Sequence, residues 1–142
     1  MRTIHLIALF GLMVITSALA SGACQELPPL FPSPHISAQQ LADLLAEVKG
    51  RPGVECRPFG PHQVMCGSNS SHELWWLTEE GHPAHPAASR GRMEINAATR
   101  ETCLVRDGYF AGPEEAFAQW FRELKRYDEK TIESFRSQLH AT

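Results

Sequence analysis

The chain has 142 residues, with 13 lysines and arginines against 16 aspartates and glutamates. Its net charge of −3 and its lack of a basic cluster leave no electrostatic footprint for nucleic-acid binding. The length suits a single domain that can bury a core without an obligatory metal or disulfide.

The first 20 residues have the three parts of a secretory signal peptide. Arg2 gives a positive start, residues 4–16 are mostly apolar, and Ala18 and Ala20 occupy the positions that a signal peptidase reads. The apolar run is shorter than the ~20 residues that a permanent membrane anchor needs. We therefore expect residues 1–20 to be removed, which leaves no transmembrane segment and a periplasmic or secreted protein.

The cleavage position has an alternative that would change the mature N-terminus. A cut after Ala23 instead of Ala20 would place Cys24 first, where a lipid could be attached. Lipoprotein signals usually have leucine three positions before this cysteine, whereas this chain has Ser21. The pattern favours cleavage after Ala20, with a lipid anchor at Cys24 as the alternative.

Four cysteines follow the predicted signal peptide: Cys24, Cys56, Cys66 and Cys103. An oxidising compartment permits disulfides, and four cysteines allow three pairings. A turn centred on Pro61 would form a hairpin in which Cys56 faces Cys66. We therefore predict a Cys56–Cys66 disulfide and, by elimination, Cys24–Cys103. Bound metal is the rival interpretation, although the chain has no Cys-x-x-Cys pair.

The predicted elements begin after a proline-rich arm, residues 21–36, which should be extended. Ser37 and Gln40 can form a capping box, and leucines at helical spacing follow as far as Gly50, so the first element is a helix. The two strands of the cysteine hairpin come next. The segment 72–78 is aromatic and apolar on both alternating faces, which indicates a central strand covered on both sides.

Two short strands at 92–96 and 102–105 and a turn at Asp107-Gly108 are predicted to follow. Pro113 opens a helix whose apolar stripe continues past Asp128, in the same helix or in a second one. This order predicts an α+β fold. It has one antiparallel sheet of about four to five short strands, and the N-terminal helix and the one or two C-terminal helices pack on one face. Residues 37–142 would form this single domain.

The segment 79–91 is the longest internal run without periodicity, and it contains His82 and His85, each followed by proline. The prolines should hold both histidines extended, with their α-carbons ~9 Å apart on one edge. The interpretation is a stiff connecting loop, and the alternative is a copper or zinc site that needs further ligands. Candidates for those ligands are His35, His62, His72, Glu79 and Glu80.

Trp75 and Trp76 are adjacent on the predicted central strand, so their side chains must point to opposite faces. One of them should belong to the core. The other is either core beneath a helix or an exposed anchor, because tryptophan is enriched at interface hot spots. Trp75, Trp76, His82 and His85 are therefore the candidate binding residues.

The chain contains no nucleophile elbow, no phosphate-binding loop and no glycine-rich dinucleotide turn. The sequence therefore predicts no catalytic residues and a protein that is not an enzyme. A small hydrolase with an unrecognised site is an alternative.

Residues 75–87, WWLTEEGHPAHPA, resemble a pattern in small exported bacterial proteins of uncharacterised function, in which an aromatic strand runs into a His-Pro-Ala-His-Pro turn. The resemblance covers 13 residues and implies a bacterial periplasmic setting, without site residues. We predict a non-enzymatic periplasmic protein, without a cofactor, that binds another protein or an envelope component as an inhibitor, immunity or accessory factor. The alternative is a periplasmic copper- or zinc-handling protein that uses His82 and His85.

Overall fold

A computed structural model describes residues 24–96 and 99–140 of the chain. The elements in chain order are α1 Ala38–Gly50, β1 Glu55–Pro58, β2 Gln63–Gly67, β3 Glu73–Thr78, β4 Ala87–Ile95, β5 Thr102–Phe110 and α2 Glu114–His140. The predicted signal peptide, with its alternative ends at Ala20 and Ala23, lies outside the described residues.

The five strands form one antiparallel sheet in the order β1-β2-β3-β4-β5, so each strand pairs with its neighbour in the chain. The register places Cys56 opposite Cys66, and Trp75 opposite both Cys66 and Arg90. The predicted α+β fold, with one antiparallel sheet, an N-terminal helix and a C-terminal helix, is confirmed.

The two helices pack on opposite faces of the sheet, so the prediction that they share one face is wrong. Trp75 and Leu77 belong to the cluster beneath α1, whereas Trp76 belongs to the cluster beneath α2. Successive side chains of a strand point to opposite faces, and here both faces of β3 are apolar. Each face therefore needs its own helix to exclude water.

The start and the buried stripe of α1 follow the sequence closely. The Ser37 Oγ accepts a hydrogen bond from the Gln40 N–H at 3.1 Å, and the Gln40 Oε1 accepts one from the Ser37 N–H at 2.9 Å. Leu41, Leu44 and Val48 are buried against the sheet. The capping box fixes where the helix begins, and the leucine spacing fixes which side faces the core.

Two strands extend beyond their predicted limits, and the turn predicted at Asp107-Gly108 is wrong. Both residues lie inside β5, where Asp107 pairs in register with Arg90. A Cβ atom on Gly108 would come within 2.9 Å of the Phe117 and Phe121 rings. Glycine at this position therefore lets α2 pack closely on the sheet. An Asp-Gly pair normally favours a turn. In this strand Asp107 instead forms an ion pair with Arg90, and Gly108 allows the close approach of α2.

The proline-rich arm is attached to β5 at both ends. The predicted disulfides, Cys24–Cys103 and Cys56–Cys66, are both present, and the first ties the start of the arm to β5. At the other end, the Phe110 N–H donates to the Pro34 carbonyl at 2.9 Å. Closing so long a loop stabilises the fold by on the order of 4 kcal/mol in the chain-entropy description.

The C-terminal stripe forms a single helix, α2, which buries Phe117, Trp120 and Leu124 against the sheet. Asp128 is also buried, and it accepts hydrogen bonds from the Arg106 Nε at 2.7 Å and from a second guanidinium nitrogen at 2.6 Å. The Arg106 guanidinium lies 4.0 Å from the Trp76 ring. Neither described helix combines the length and the apolar character that crossing a membrane requires.

From the burial of the Arg106–Asp128 ion pair we predict how its loss changes the free energy of unfolding. Asp128→Ala leaves the arginine buried without a carboxylate, and we expect the free energy of unfolding to fall by roughly 3–5 kcal/mol. The double variant Arg106→Met/Asp128→Leu removes both charges and should lose much less. Urea denaturation followed by circular dichroism measures both, and equal losses in the two variants would contradict this reasoning.

Candidate functional site

The connection between β3 and β4, residues 79–86, is defined here as the histidine loop. Its backbone forms two successive turns, since the His82 N–H donates to the Glu79 carbonyl and the His85 N–H donates to the His82 carbonyl. The predicted extended conformation, which has no internal hydrogen bonds, is therefore wrong. The loop is also shorter than predicted, because β4 already begins at Ala87.

His85 holds the two ends of this loop together. Its Nδ1 lies 3.1 Å from the carbonyl oxygen of Thr78, the last residue of β3. A carbonyl only accepts, so this network assigns the ring proton to Nδ1. The Thr78 hydroxyl meanwhile bonds both the N–H and the carbonyl of Ala87. These contacts give His85 a structural role at the base of the loop.

His82 packs against α2 at the outer part of the loop. Its Nδ1 accepts a hydrogen bond from the Ala84 N–H at 3.1 Å, and its ring meets the Trp120 ring edge-on at 5.6 Å. Burial lowers the pKa of His82, the carboxylate of Glu123 opposes that shift in part, and the nearby rings of His62 and His85 add to it. The unprotonated ring is therefore the form that the fold favours.

The loop histidines do not gather a full set of metal ligands in the structure. The Nδ1 atoms of His82 and His85 are both engaged in the loop, which leaves only their Nε2 atoms. The His62 ring packs on Gly81, whose added Cβ would lie 2.9 Å from it. Within residues 24–96 and 99–140, no three histidine, cysteine, aspartate or glutamate side chains are placed to hold one ion.

Both candidate tryptophans are core residues, so neither is the exposed anchor that the sequence left open. Trp75 is 2% exposed and its Nε1 donates to the Glu73 Oε1 at 2.8 Å. Trp76 is 1% exposed and contacts the Phe59 ring edge-on. The central position of β3, with a helix over each face, accounts for the burial of both.

The structure instead exposes a group of large apolar side chains that we define as the apolar patch: Met93, Ile95, Tyr127 and Phe135. Ile95 is 66% exposed, Tyr127 is 42% exposed, and the other two are 37% exposed. One groove of about 440 Å³ lies between Met93 and the helix side chains Tyr127 and Phe135. A second, of about 610 Å³, runs along Met93 and Ile95 on the strand.

The helical half of the apolar patch, Tyr127 and Phe135, lies in the C-terminal part of α2. The 27 residues of this helix span about 40 Å, whereas the nine residues of β5 span about 30 Å. The buried stripe of α2 ends at Asp128, and Phe135 is exposed about two turns later. The helical spacing of apolar residues continues after Asp128 in the sequence, and this spacing was the only indication of the exposed Phe135. No comparable signal marked Met93 and Ile95.

No protein-family model, curated protein or solved structure matches this chain. The resemblance of residues 75–87 to small exported bacterial proteins therefore stays a prediction.

From the lowered pKa of His82 we predict how the free energy of unfolding depends on pH. Because the folded protein holds its pKa below the ordinary value of about 6.5, the unfolded chain binds the proton first as the pH falls. The favourable contribution of His82 is complete above pH ~6.5 and declines below it. Urea midpoints between pH 7.5 and 5 should fall less steeply in His82→Gln than in the wild type.

The exposed His72, in the turn before β3, provides the matched control for this experiment. His72→Gln also removes one histidine, but it leaves the histidine loop intact. If the two variants gave the same change in pH dependence, the effect could not be assigned to the His82 environment.

Proposed function

We propose that this protein is an exported, non-enzymatic binding protein that docks another protein on its apolar patch. The observation that carries the proposal is the exposure of four large apolar side chains around two adjoining grooves. Contiguous exposed apolar surface of this kind marks an interaction site, whereas scattered single residues do not.

The composition of the patch is typical of a protein interface. Tyrosine, phenylalanine and methionine are enriched at interface centres, and methionine adapts its shape to the partner. Polar residues surround the centre: on the helix Lys130, Thr131, Ser134 and Gln138, and on the strand side His72, Arg92 and Glu94. An apolar centre with a polar rim can exclude water from a few strong contacts.

The charges at the rim indicate the complementary chemistry of the partner. Arg92 forms an ion pair with Glu94, whereas Lys130 has no ion pair among the residues that the structure describes. The fitting partner therefore presents aliphatic or aromatic side chains at the centre and a carboxylate near Lys130. Complementary charge of this kind steers association and fixes the orientation of the complex.

The two disulfides support the exported part of the proposal. Cys24–Cys103 and Cys56–Cys66 use all four cysteines, and structural disulfides persist in oxidising compartments. A periplasmic protein of this size that binds through one rigid surface would act as an inhibitor, an immunity protein or an accessory factor. The predicted signal peptide is the route by which it would reach that compartment.

Site-specific photo-crosslinking in the native cells tests the proposal. With p-benzoylphenylalanine in place of Phe135, we expect one discrete crosslinked protein. The same probe at the exposed Ala42 on α1, across the sheet, should give none. Purified wild-type protein added in excess to a cell extract should suppress the Phe135 product, because it occupies the same partner.

The control adds the variant Met93→Glu/Phe135→Glu to the extract as the competitor, in place of the wild-type protein. This variant should keep its fold, since both side chains are partly exposed and surface changes usually alter stability by about 0.5 kcal/mol or less. It should nevertheless fail to suppress the crosslink, because two carboxylates would be desolvated at the interface. Suppression by the variant as efficient as by the wild type would overturn the proposal. A crosslink only to a second copy of the chain would identify the patch as a dimer interface instead.

A further inference from the structure

Among the described residues, nothing pairs with the outer edge of β5 along most of its length. Apart from its pairing with β4, the hydrogen bonds between described backbone groups reach β5 only at Phe110, which bonds Pro34 and Ile36 of the arm. Backbone groups of alternate residues in an antiparallel strand point the same way. The N–H and carbonyl groups of Leu104 and Arg106 therefore point away from β4, as those of Phe110 do.

The opposite edge of the sheet has more of the features that block further pairing than β5 has. The edge strand β1 has four residues, contains Pro58 and carries the charged Glu55 and Arg57. Short length, proline and charge are the usual devices that block strand addition. The nine residues of β5 contain neither proline nor lysine, and among the described residues the backbone of the arm bonds the backbone of β5 only at Phe110.

A groove of about 460 Å³ runs along this open edge. Its floor is β5 from Leu104 to Asp107, and its walls are the arm on one side and α2 on the other. The wall residues are Glu26, Leu27, Lys125, Asp128, Glu129 and Ile132. A free strand edge at the bottom of a walled groove admits an extended chain and little else, because only an extended backbone matches its spacing.

The free charges of the groove are mainly acidic. The carboxylates of Asp107 and Asp128 are already paired with Arg90 and Arg106. Glu26 and Glu129, one on each wall, have no ion pair among the residues that the structure describes. Among the described residues that line the groove, the one ammonium is that of Lys125, which lies 5.3 Å from the centre of the Phe121 ring. The groove is thus complementary to a basic ligand.

We propose that this groove binds an extended segment of a partner polypeptide, which adds to β5 as a sixth strand and carries both apolar and basic side chains. The backbone groups of Leu104 and Arg106 bond the incoming strand. Its apolar side chains contact Leu27 and Ile132, and its basic side chains meet the wall carboxylates. This site is separate from the apolar patch, so it gives the protein a second way to recognise a polypeptide.

The probe for this site is an eight-residue peptide of alternating lysine and valine, blocked at its C-terminus and labelled with fluorescein at its N-terminus. Fluorescence anisotropy with the full mature chain should show saturable binding. Hydrogen exchange by NMR should show that the peptide slows exchange of the Leu104 and Arg106 amides by at least about tenfold, because these amides become hydrogen-bonded. A peptide with glutamate in place of lysine should bind far more weakly.

Charge-reversal variants test the walls without touching the backbone edge. Glu26→Lys/Glu129→Lys should weaken binding of the lysine–valine peptide about tenfold, because two attractive contacts become repulsive. The matched control Glu114→Lys/Glu133→Lys changes the net charge equally at exposed positions of α2 outside the groove, and it should bind like the wild type.

The proposal would be overturned by the absence of saturable binding, by equal binding of the glutamate peptide, or by binding that leaves exchange of the Leu104 and Arg106 amides unchanged. Self-association of the peptide-free protein through the same amides, seen by sedimentation, would replace the proposed partner with a second copy. Loss of binding in Met93→Glu/Phe135→Glu would place the peptide on the apolar patch and equally refute the groove.

Discussion

The architecture depends on one constraint, the alternation of side chains along β3. Trp75 and Trp76 are consecutive, so one ring must lie on each face of the sheet. A tryptophan buries ~150–250 Å² of surface, which neither face can leave in water without a large loss of stability. With β3 in the middle of the sheet, α1 is required on one face and α2 on the other.

Each of these buried faces also contains one arginine whose charge is fully compensated. On the α1 face, Arg90 pairs with Asp107 and donates to the Pro28 carbonyl at 2.7 Å, which fixes the arm to the sheet. On the α2 face, Arg106 pairs with Asp128 and fixes the helix to β5. A buried charge is tolerated only when it is paired and hydrogen-bonded, so these contacts also specify where each element docks.

The two proposed binding surfaces lie where the covering elements leave parts of the sheet exposed. The buried stripe of α2 ends at Asp128, and Phe135 and Met93 are exposed beside each other. The arm is fastened to β5 near the two ends of the strand, which leaves the edge between them open. Each surface includes a regular element that packs on the core, α2 for the apolar patch and β5 with α2 for the groove.

By itself the sequence determined the features that depend on local chemistry. The capping box predicted the start of α1, the turn around Pro61 predicted the Cys56–Cys66 disulfide, and the two apolar faces of residues 72–78 predicted a central strand. The remaining disulfide followed by elimination. These inferences succeeded because propensity, alternation and turn chemistry act between residues close together in the chain.

Only the tertiary structure decided which local preferences were overridden and which side chains stayed exposed. Asp107-Gly108 favours a turn locally, yet the Arg90 ion pair and the rings of α2 keep both residues in β5. The histidine loop folds into turns in which His85 bonds Thr78 and His82 packs on Trp120. Neither contact can be deduced from the spacing of the histidines in the sequence. The sequence did not single out Met93, because its exposure depends on how α2 lies on β4, and these two elements are far apart in the chain.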